Sequence, residues 1–253
     1  MSKDLFLANM TALVTGASSG IGASTALALA SSGADVLLHF NSNAEGAEKV
    51  RRTIQQQGGT ARLIQADLTT REGTRSLAHY AATHRIDILI NNAGSLLART
   101  PVLEMTEDLW DQVLLLNFTS AFFLSQAVIP GMQQRKDGVI VNISSVAARN
   151  GGGIGALAYA SAKAALSTMT KGFTREFAAG GIRVNAVSPG TITTNYHKTF
   201  STEEALEGVK CATPVKRIGV PEEVADVILF LCSPQARFIH GQVIEVNGGF
   251  LMP

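Results

Sequence analysis

Short apolar runs alternate with longer amphipathic segments along the whole chain. The runs are rich in β-branched residues and are bounded by Gly, Asp and Asn, which is typical of strands in a sheet covered on both faces. They predict seven strands, at 12–14, 35–39, 61–64, 86–90, 138–143, 182–187 and 242–246. Segments with helical periodicity predict helices at about 21–30, 44–57, 107–135 and 157–179, and one that ends near residue 84.

Strands that alternate with helices form βαβ units, whose crossovers are right-handed. The pattern therefore predicts an α/β fold: one doubly wound domain over residues 1–253, with a seven-stranded parallel sheet flanked by helices. Ligands of such sheets bind at the carboxyl ends of the strands. Residues 195–215 interrupt the strand–helix rhythm, and we expect them to form a lid over the substrate.

Composition narrows the classes of protein. Lys and Arg (21) nearly balance Asp and Glu (20), whereas a nucleic-acid-binding chain usually has a basic excess. Apolar stretches are shorter than the roughly 20 residues of a membrane helix, and the N-terminus lacks the apolar core of a signal peptide. We therefore expect a cytoplasmic protein with no nucleic-acid or membrane partner. Neither the histidines nor Cys211 and Cys232 have metal-ligand spacing, so we predict no metal site.

Three glycines, Gly16, Gly20 and Gly22, follow the first predicted strand and open the first helix. Glycine permits a tight turn and a close approach of backbone to a phosphate. The N–H groups and the dipole of the helix N-terminus favour anions. This context predicts a dinucleotide diphosphate site, with a plain strand-to-helix turn as the alternative.

Four polar residues are candidates for catalysis. Tyr159 and Lys163 are four residues apart, so they share one face of a predicted helix, where an ammonium can lower the phenol's pKa from about 10 towards a useful range. Ser145, or its neighbour Ser144, ends the fifth strand, where a hydroxyl can hold a carbonyl oxygen. Asn117 lies in an apolar helix, and a buried amide needs a partner. The alternative for Tyr159 and Lys163 is an ordinary amphipathic helix with two polar residues at its surface. For the serine it is a turn or a helix cap, and for Asn117 a purely structural partner.

Together these motifs resemble the short-chain dehydrogenase/reductase family over nearly the whole chain. The family patterns are Thr-Gly-x-x-x-Gly-x-Gly at 15–22, Asn-Asn-Ala-Gly at 91–94, Tyr-x-x-x-Lys at 159–163 and Pro-Gly at 189–190. The resemblance implies a Rossmann-type fold and an NAD(P)-dependent oxidoreductase that moves a hydride between nicotinamide and a carbonyl or secondary alcohol. It implies four catalytic residues, with Tyr159 as the acid–base: Asn117, Ser145, Tyr159 and Lys163. The Ser145–Tyr159 spacing is one residue longer than usual, which predicts an insertion in the loop at 151–155.

The resemblance also implies a set of cofactor-binding residues. It comprises Gly16, Ser18, Ser19, Gly20, Ile21, Gly22, Asn41, Ser42, Asp67, Leu68, Asn91, Ala93, Gly94, Tyr159, Lys163, Pro189, Gly190, Ile192 and Thr194. No Asp or Glu ends the second predicted strand, where an acidic side chain would select the ribose of NAD. The sequence therefore favours NADP and leaves NAD as the alternative.

Individual roles follow from the same resemblance. Lys163 is expected at the nicotinamide ribose, Ile192 and Thr194 at the carboxamide, and Asp67 at the adenine. Asn117 is expected to organise a water relay, and Asn91 to steady the central strand beside the cofactor.

We expect a small carbonyl or alcohol substrate and a homotetramer, with the helices at 107–135 and 157–179 at its interfaces and residues 250–253 packed across a subunit boundary. Arg99, Arg149 and the residues around His197 favour a polar or anionic substrate, with solvated surface charge as the alternative. A nucleotide-binding redox sensor of the same fold, without turnover, is the competing function.

Overall fold

The computed structural model describes residues 5–194, 200 and 202–252. Seven parallel strands form one sheet in the order β3-β2-β1-β4-β5-β6-β7, as predicted for a doubly wound fold. The strands are β1 (Thr11–Val14), β2 (Asp35–Phe40), β3 (Ala61–Gln65), β4 (Ile88–Asn91), β5 (Gly138–Ile143), β6 (Ile182–Pro189) and β7 (Val243–Val246).

Helices cover both faces of the sheet. They are α1 (Gly20–Ser31), α2 (Ala44–Gln56), α3 (Arg71–Thr83), α4 (Glu107–Leu114), α5 (Ser120–Arg135), α6 (Ala147–Asn150), α7 (Leu157–Phe177), α8 (Glu203–Ala212) and α9 (Pro221–Cys232). Short 3₁₀ segments occur at Val102–Glu104, Ala178–Gly180 and Pro234–Ala236. Several helices begin at a side-chain cap; in α2 and α3, Asn43 and Thr70 accept hydrogen bonds from Gly46 N and Gly73 N.

Two apolar cores lie on opposite faces of the sheet, because successive side chains of a strand point to opposite sides. Within β1, Ala12 and Val14 pack into the core with α1, α2 and α9. Leu13, between them, packs into the core with α3, α5 and α7. This arrangement explains why the central strands are apolar throughout.

The fourth strand begins two residues later than predicted, at Ile88. The apolar pattern placed Asp87 inside the strand, but in the structure Asp87 precedes the strand and its carboxylate binds groups from three other parts of the chain. Its carboxylate accepts a hydrogen bond from Thr11 N (2.9 Å) and pairs with Arg85 (3.0 Å) and Arg135 (3.2 Å). A nearly buried carboxylate is retained here because it is paired on several sides.

The predicted helix at 107–135 is divided by a π-helical turn at Leu115–Thr119. By length and composition, Glu107–Arg135 is the one segment among the described residues that could span a membrane. In the structure it covers the sheet: α5 supplies Leu124 and Val128 to the core, and Asn117 in the π-turn is buried. We therefore regard it as a core helix of the domain.

The segment predicted as a lid is described in part. Residues 195–199 and 201, which include Tyr196, His197 and Lys198, lie outside the described residues. The remainder contains α8, which is capped by the Thr202 hydroxyl as an acceptor from Ala205 N (3.2 Å). Its action as a lid stays a prediction.

Candidate active site

A cavity of about 930 Å³ opens at the carboxyl ends of the strands. It reaches from the glycine loop after β1, past the ends of β2 and β3, to the start of α7 and to α8. Most of the predicted residues line it: Gly16, Ser18, Ser19, Gly20, Ile21, Gly22, Asn41, Ser42, Leu68, Ala93, Gly94, Ser145, Tyr159, Lys163, Pro189, Gly190, Ile192 and Thr194. The predicted residues Asp67, Asn91 and Asn117 do not line the cavity.

The glycine loop has the backbone that its sequence requires. Gly16 and Gly20 have positive φ angles of 65° and 55°, which L side chains rarely adopt. A Cβ on Gly22 would lie 2.3 Å from the carbonyl oxygen of Gly16, so the first turn of α1 packs directly on the loop. A side chain at any of these positions would distort the loop.

Helix α1 begins without a side-chain cap. Ser19 occupies the N-cap position, but its hydroxyl makes no capping hydrogen bond, and the first turn of the helix has no acidic residue. The N–H groups of this turn therefore remain available at the cavity wall, where a helix N-terminus favours an anion.

A buried network that sequence reasoning missed supports the loop from below. Thr15 Oγ1 accepts hydrogen bonds from Asn92 N and Ala93 N, both at 2.9 Å, and the Asn92 side chain donates to Thr15 O (2.8 Å). These bonds fix the loop after β1 against the loop after β4. The motif positions of Thr15 and Asn92 were the only sequence signal for this contact.

His39, at the end of β2, is a second residue that sequence reasoning missed. Its Nδ1 accepts a hydrogen bond from Gly16 N (3.1 Å), so Nε2 carries the proton and donates to Ala66 O (3.0 Å). Burial lowers the pKa of His39 from 6.5 to about 4, although the Ala66 carbonyl and Asp67 act in the opposite direction. A single histidine within an apolar strand gave no pattern to recognise.

Ser145 and Tyr159 meet at the cavity wall. The Ser145 hydroxyl accepts a hydrogen bond from Ala147 N (3.1 Å) and is hydrogen-bonded to Tyr159. Burial raises the pKa of Tyr159 above 10.0, and the bond to Ser145 acts in the opposite direction. Ser144 instead faces α7, where its hydroxyl bonds to Lys163 O and to Ser167. Of the two candidate serines, Ser145 is the one beside the tyrosine.

Lys163 is almost fully buried beneath the tyrosine. Its Nζ donates to Ile143 O (2.8 Å) and lies 5.6 Å from the centroid of the Tyr159 ring. Burial lowers the pKa of Lys163 from 10.5 to about 7. The sequence-based expectation was that the ammonium would lower the pKa of Tyr159, but in the structure burial is the largest influence on both groups.

Asn117 clamps the loop that follows β4. Its Oδ1 accepts from Ser95 N (3.1 Å), and its Nδ2 donates to Ser95 O (2.8 Å) and Val113 O (2.9 Å). A Cβ on Gly94 would lie 2.7 Å from Asn117 Oδ1 and 2.9 Å from Lys163 Nζ. The amide, the ammonium and the bare backbone of Gly94 therefore converge, although the Asn117 side chain is itself enclosed.

Asn91 is likewise enclosed in the sheet. It lies opposite Asn142 in the register of β4 and β5, and its Nδ2 donates to Asn142 Oδ1 (2.9 Å) and Ser125 Oγ (3.1 Å). The Asn91 side chain therefore bonds to β5 and to the helix layer that contains Ser125, and it does not line the cavity, where it was expected beside the cofactor.

Asp67 is engaged with its own loop after β3. Its Oδ1 accepts from Thr69 N (2.9 Å) and Thr69 Oγ1 (2.7 Å), and also from Asn41 Nδ2 (3.2 Å). Leu68 and Thr69, rather than Asp67, reach the cavity surface.

The two arginines expected near the substrate differ. Arg149 is turned away and pairs with Glu245 on β7 (3.1 Å), so the expectation for this residue was wrong. Arg99 lines the cavity mouth. Phe250, expected at a subunit boundary, lines the cavity of its own chain.

Known proteins match this sequence over nearly the whole chain. A family model described as enoyl-(acyl carrier protein) reductase matches residues 16–251. A 7alpha-hydroxysteroid dehydrogenase of Escherichia coli is 37% identical over 250 residues, which are 98% of this chain and 96% of the relative. The chain belongs to the short-chain dehydrogenase/reductase family.

Solved structures of this family superpose closely on the chain. One from Beutenbergia cavernae, assigned as an NAD(P)-dependent gluconate 5-dehydrogenase and containing NADP at low occupancy, has a TM-score of 0.91 and 36% identity, with 98% of each chain covered. A 7α-hydroxysteroid dehydrogenase complexed with NADH and 7-oxo glycochenodeoxycholic acid has a TM-score of 0.90 and 37% identity, with 98% of this chain and 97% of that chain covered.

The protein is thus an NAD(P)-dependent oxidoreductase of the short-chain dehydrogenase/reductase family that acts on carbonyl or alcohol groups. The relatives are dehydrogenases and reductases, so the competing interpretation as a sensor without turnover has no support among them. Residues present in the cavity fit the dinucleotide: the positive-φ glycines and the uncapped start of α1 form a surface of bare backbone at which a diphosphate can be held.

Acidification should test the state of His39. Its folded pKa (about 4) lies below its unfolded value of 6.5, so the unfolded chain takes up a proton first and stability falls as pH decreases through this window. The expected loss is on the order of 3 kcal/mol between pH 6.5 and 4. Asn can replace Nδ1 as acceptor without titrating, so H39N should lack this component in urea unfolding measured from pH 4 to 7.5.

The matched control is H79N, because His79 is an exposed histidine of α3. This variant should follow the wild-type pH dependence. If H39N and the wild-type protein lose stability in parallel below pH 6.5, the buried neutral imidazole is not responsible.

Replacement of Lys163 by Met should stabilise the fold. The folded pKa of Lys163 (about 7) is below its unfolded value of 10.5, so burial of the amine opposes folding most strongly at pH 7 and below, and stability rises with pH up to about 10. After the lost bond to Ile143 O is subtracted, we expect K163M to gain on the order of 1–3 kcal/mol at pH 7 and little at pH 10.

Thermal unfolding at the two pH values measures this gain. K171M changes an exposed lysine of the same helix and should leave the midpoint nearly unchanged at both. A lower midpoint of K163M at pH 7 would contradict the argument from burial.

Proposed function

We propose that Tyr159 is the general acid–base of this oxidoreductase, that Ser145 orients the reacting oxygen, and that Lys163 serves both the tyrosine and the nicotinamide ribose. The observation that supports this most directly is the hydrogen bond between Tyr159 and Ser145 at the wall of a cavity that also contains Lys163 and the glycine loop. Tyr159 and Lys163 come from α7, Ser145 follows β5 and the glycine loop follows β1, so three separate parts of the chain meet at this wall.

The dinucleotide would extend along the whole strand edge. Gly16, Gly20 and the start of α1 would take its diphosphate, and Ile192 and Thr194 its carboxamide. Leu68, after β3, would contact the adenine, in place of the neighbouring Asp67. When bound, the nicotinamide supplies or accepts the hydride.

Proton transfer is the work of the chain itself. In reduction, the Ser145 and Tyr159 hydroxyls donate hydrogen bonds to the carbonyl oxygen, and Tyr159 then gives up its proton as that oxygen becomes negative. In oxidation, Tyr159 accepts the alcohol proton. Because burial raises the pKa of Tyr159, the phenol keeps its proton at neutral pH, which favours the reductive role.

Asn117 acts as a positioning residue in this scheme. Its clamp on Ser95 holds the adjacent Gly94 against Lys163, so the ammonium is confined between Gly94 and Ile143 O. Because the Asn117 side-chain amide is enclosed and hydrogen-bonded, the expected water relay would pass beside Asn117 and not through this amide.

NADP is the preferred cofactor in this proposal. Asn41, Ser42 and Asn43 follow β2 at the cavity surface, and among the described residues no Asp or Glu lines the cavity. A carboxylate there would accept a bond from the ribose of NAD and repel the 2′-phosphate of NADP. Amide and hydroxyl groups can donate to the phosphate.

The assembly and location are part of the same proposal. A homotetramer is supported by exposed apolar side chains on α4, α5 and α7, namely Trp110, Phe123 and Leu157. A cytoplasmic location is consistent with two free thiols, Cys211 and Cys232. The chain would act as one domain, with α8 and its flanks covering the substrate.

Removal of the phenol hydroxyl tests the catalytic role. With a substrate found by screening ketones, aldehydes and secondary alcohols for nicotinamide absorbance changes, Y159F should lose at least about 100-fold in kcat, because acid–base catalysis is removed. Dinucleotide affinity should change little. Tyr80, on α3, offers the matched control Y80F, which should keep turnover; Y159F with wild-type kcat would refute the assignment.

Cofactor choice is tested by thermal unfolding with each dinucleotide. At about 100 times its dissociation constant, the preferred one should stabilise the protein by about 2.7 kcal/mol. We expect the larger shift with NADP⁺, and S42D should reverse the order by placing a carboxylate after β2. A larger shift with NAD⁺ in the wild-type protein would overturn the preference for NADP.

A further inference from the structure

The substrate end of the cavity has mostly apolar walls. Side chains from several elements contribute, among them Leu97, Leu116, Ala156, Phe200, Leu206 and Phe250. A polyhydroxylated substrate would leave hydroxyl groups unpaired against such walls, which costs free energy for each group. An elongated hydrocarbon or fused-ring body suits them better.

Basic but no acidic side chains line the cavity among the described residues. Within the described part of the chain, its lining has two basic side chains, Lys163 and Arg99, and no carboxylate. Lys163 is enclosed and bonded to Ile143 O, beside Tyr159. Arg99 is therefore the cation left for the substrate end.

Arg99 is held by backbone rather than by an acidic partner. Its Nε donates to Phe200 O (2.8 Å) and its Nη1 to Ile154 O (2.9 Å). Thr100 N donates to Gly155 O (3.2 Å), so a second hydrogen bond joins the loop that contains Arg99 to the loop at 151–155. Among the described residues the guanidinium has no ion pair, and its Nη2 makes no hydrogen bond.

Two backbone carbonyls thus fix the Arg99 guanidinium at the cavity mouth. Two other arginines, which do not line the cavity, are ion-paired instead: Arg149 with Glu245 and Arg217 with Glu223. A guanidinium that is held by two carbonyls, and whose Nη2 has no hydrogen bond to any described residue, favours a carboxylate or phosphate because of its planar donor geometry.

We propose that the substrate of the reaction proposed above is an elongated apolar ketone or secondary alcohol that carries an anionic group, and that Arg99 binds this anion at the cavity mouth. The oxygen that reacts lies at Tyr159, the apolar body contacts the walls, and the charge meets Arg99. The residue acts on substrate affinity and leaves the proton-transfer groups unchanged.

Binding of unreactive probes tests the proposal without turnover. Octanoate and octanamide have the same chain and differ in charge. With the protein saturated by NADP⁺, octanoate should bind at least tenfold more tightly than octanamide by calorimetry, a difference of about 1.4 kcal/mol. R99Q should bring the two affinities within about twofold, and R99K, which keeps the charge, should retain at least a threefold preference.

R149Q is the matched control, because Arg149 lies outside the cavity lining and is already paired. It should retain the tenfold preference. Equal binding of the two probes to the wild-type protein, or an unchanged preference in R99Q with a wild-type unfolding midpoint, would overturn the proposal.

If the proposed acid–base function failed and the anion site did not, the results would differ from those above. A preference for octanoate that depends on Arg99, in a protein that turns over no carbonyl or alcohol, would retain the anion site and reject the proposed acid–base role. Turnover of neutral ketones with no charge preference would do the reverse.

Discussion

The seven strands run in one direction because each connection leads back over a face of the sheet, from the carboxyl end of one strand to the amino end of the next. All seven carboxyl ends therefore lie side by side, and residues that are remote in sequence meet there. Thr15, after β1, bonds to the loop after β4, and Lys163, in α7, donates to the last carbonyl of β5. The cavity is the concave space that these strand ends leave between the two helical layers.

Burial then determines the chemistry available at this edge. The same loss of water raises the pKa of Tyr159 and lowers that of Lys163, so the enclosed pair tends towards two neutral groups. An anion bound nearby would favour the ammonium form of Lys163 again. The protonation of Lys163 is thus coupled to the charge of whatever occupies the cavity.

Sequence patterns predicted the fold and most of the cavity because both follow from local features. Apolar runs identify strands, and glycines after them identify places where backbone approaches a ligand. What the pattern could not give is the direction of each side chain. Asp67 and Asn91 occupy motif positions but bond within the protein, and Arg149, close to Ser145 in sequence, turns to Glu245.

Residues that the sequence patterns did not identify were missed for the same reason, because their role depends on tertiary contacts. His39 was passed over because one histidine in an apolar strand has no periodicity, and its importance depends on two backbone groups from other loops. The late start of β4 depends on Asp87 meeting a neighbouring strand and two arginines, which is a tertiary contact. Local propensity contains no information about such partners.

The π-turn at Leu115–Thr119 also limits how the chain length can vary. A π-turn contains one residue more than an α-helical turn, so deletion of one residue here would restore a regular α-helix and leave α4 and α5 nearly in the same relative orientation. The residues of the turn itself would be displaced, and Asn117 would lose its place opposite Ser95 even though no side chain of the site had been substituted. Insertions and deletions are better accommodated in the loop at 151–155, where three positive-φ glycines can absorb a change in length without turning a helix.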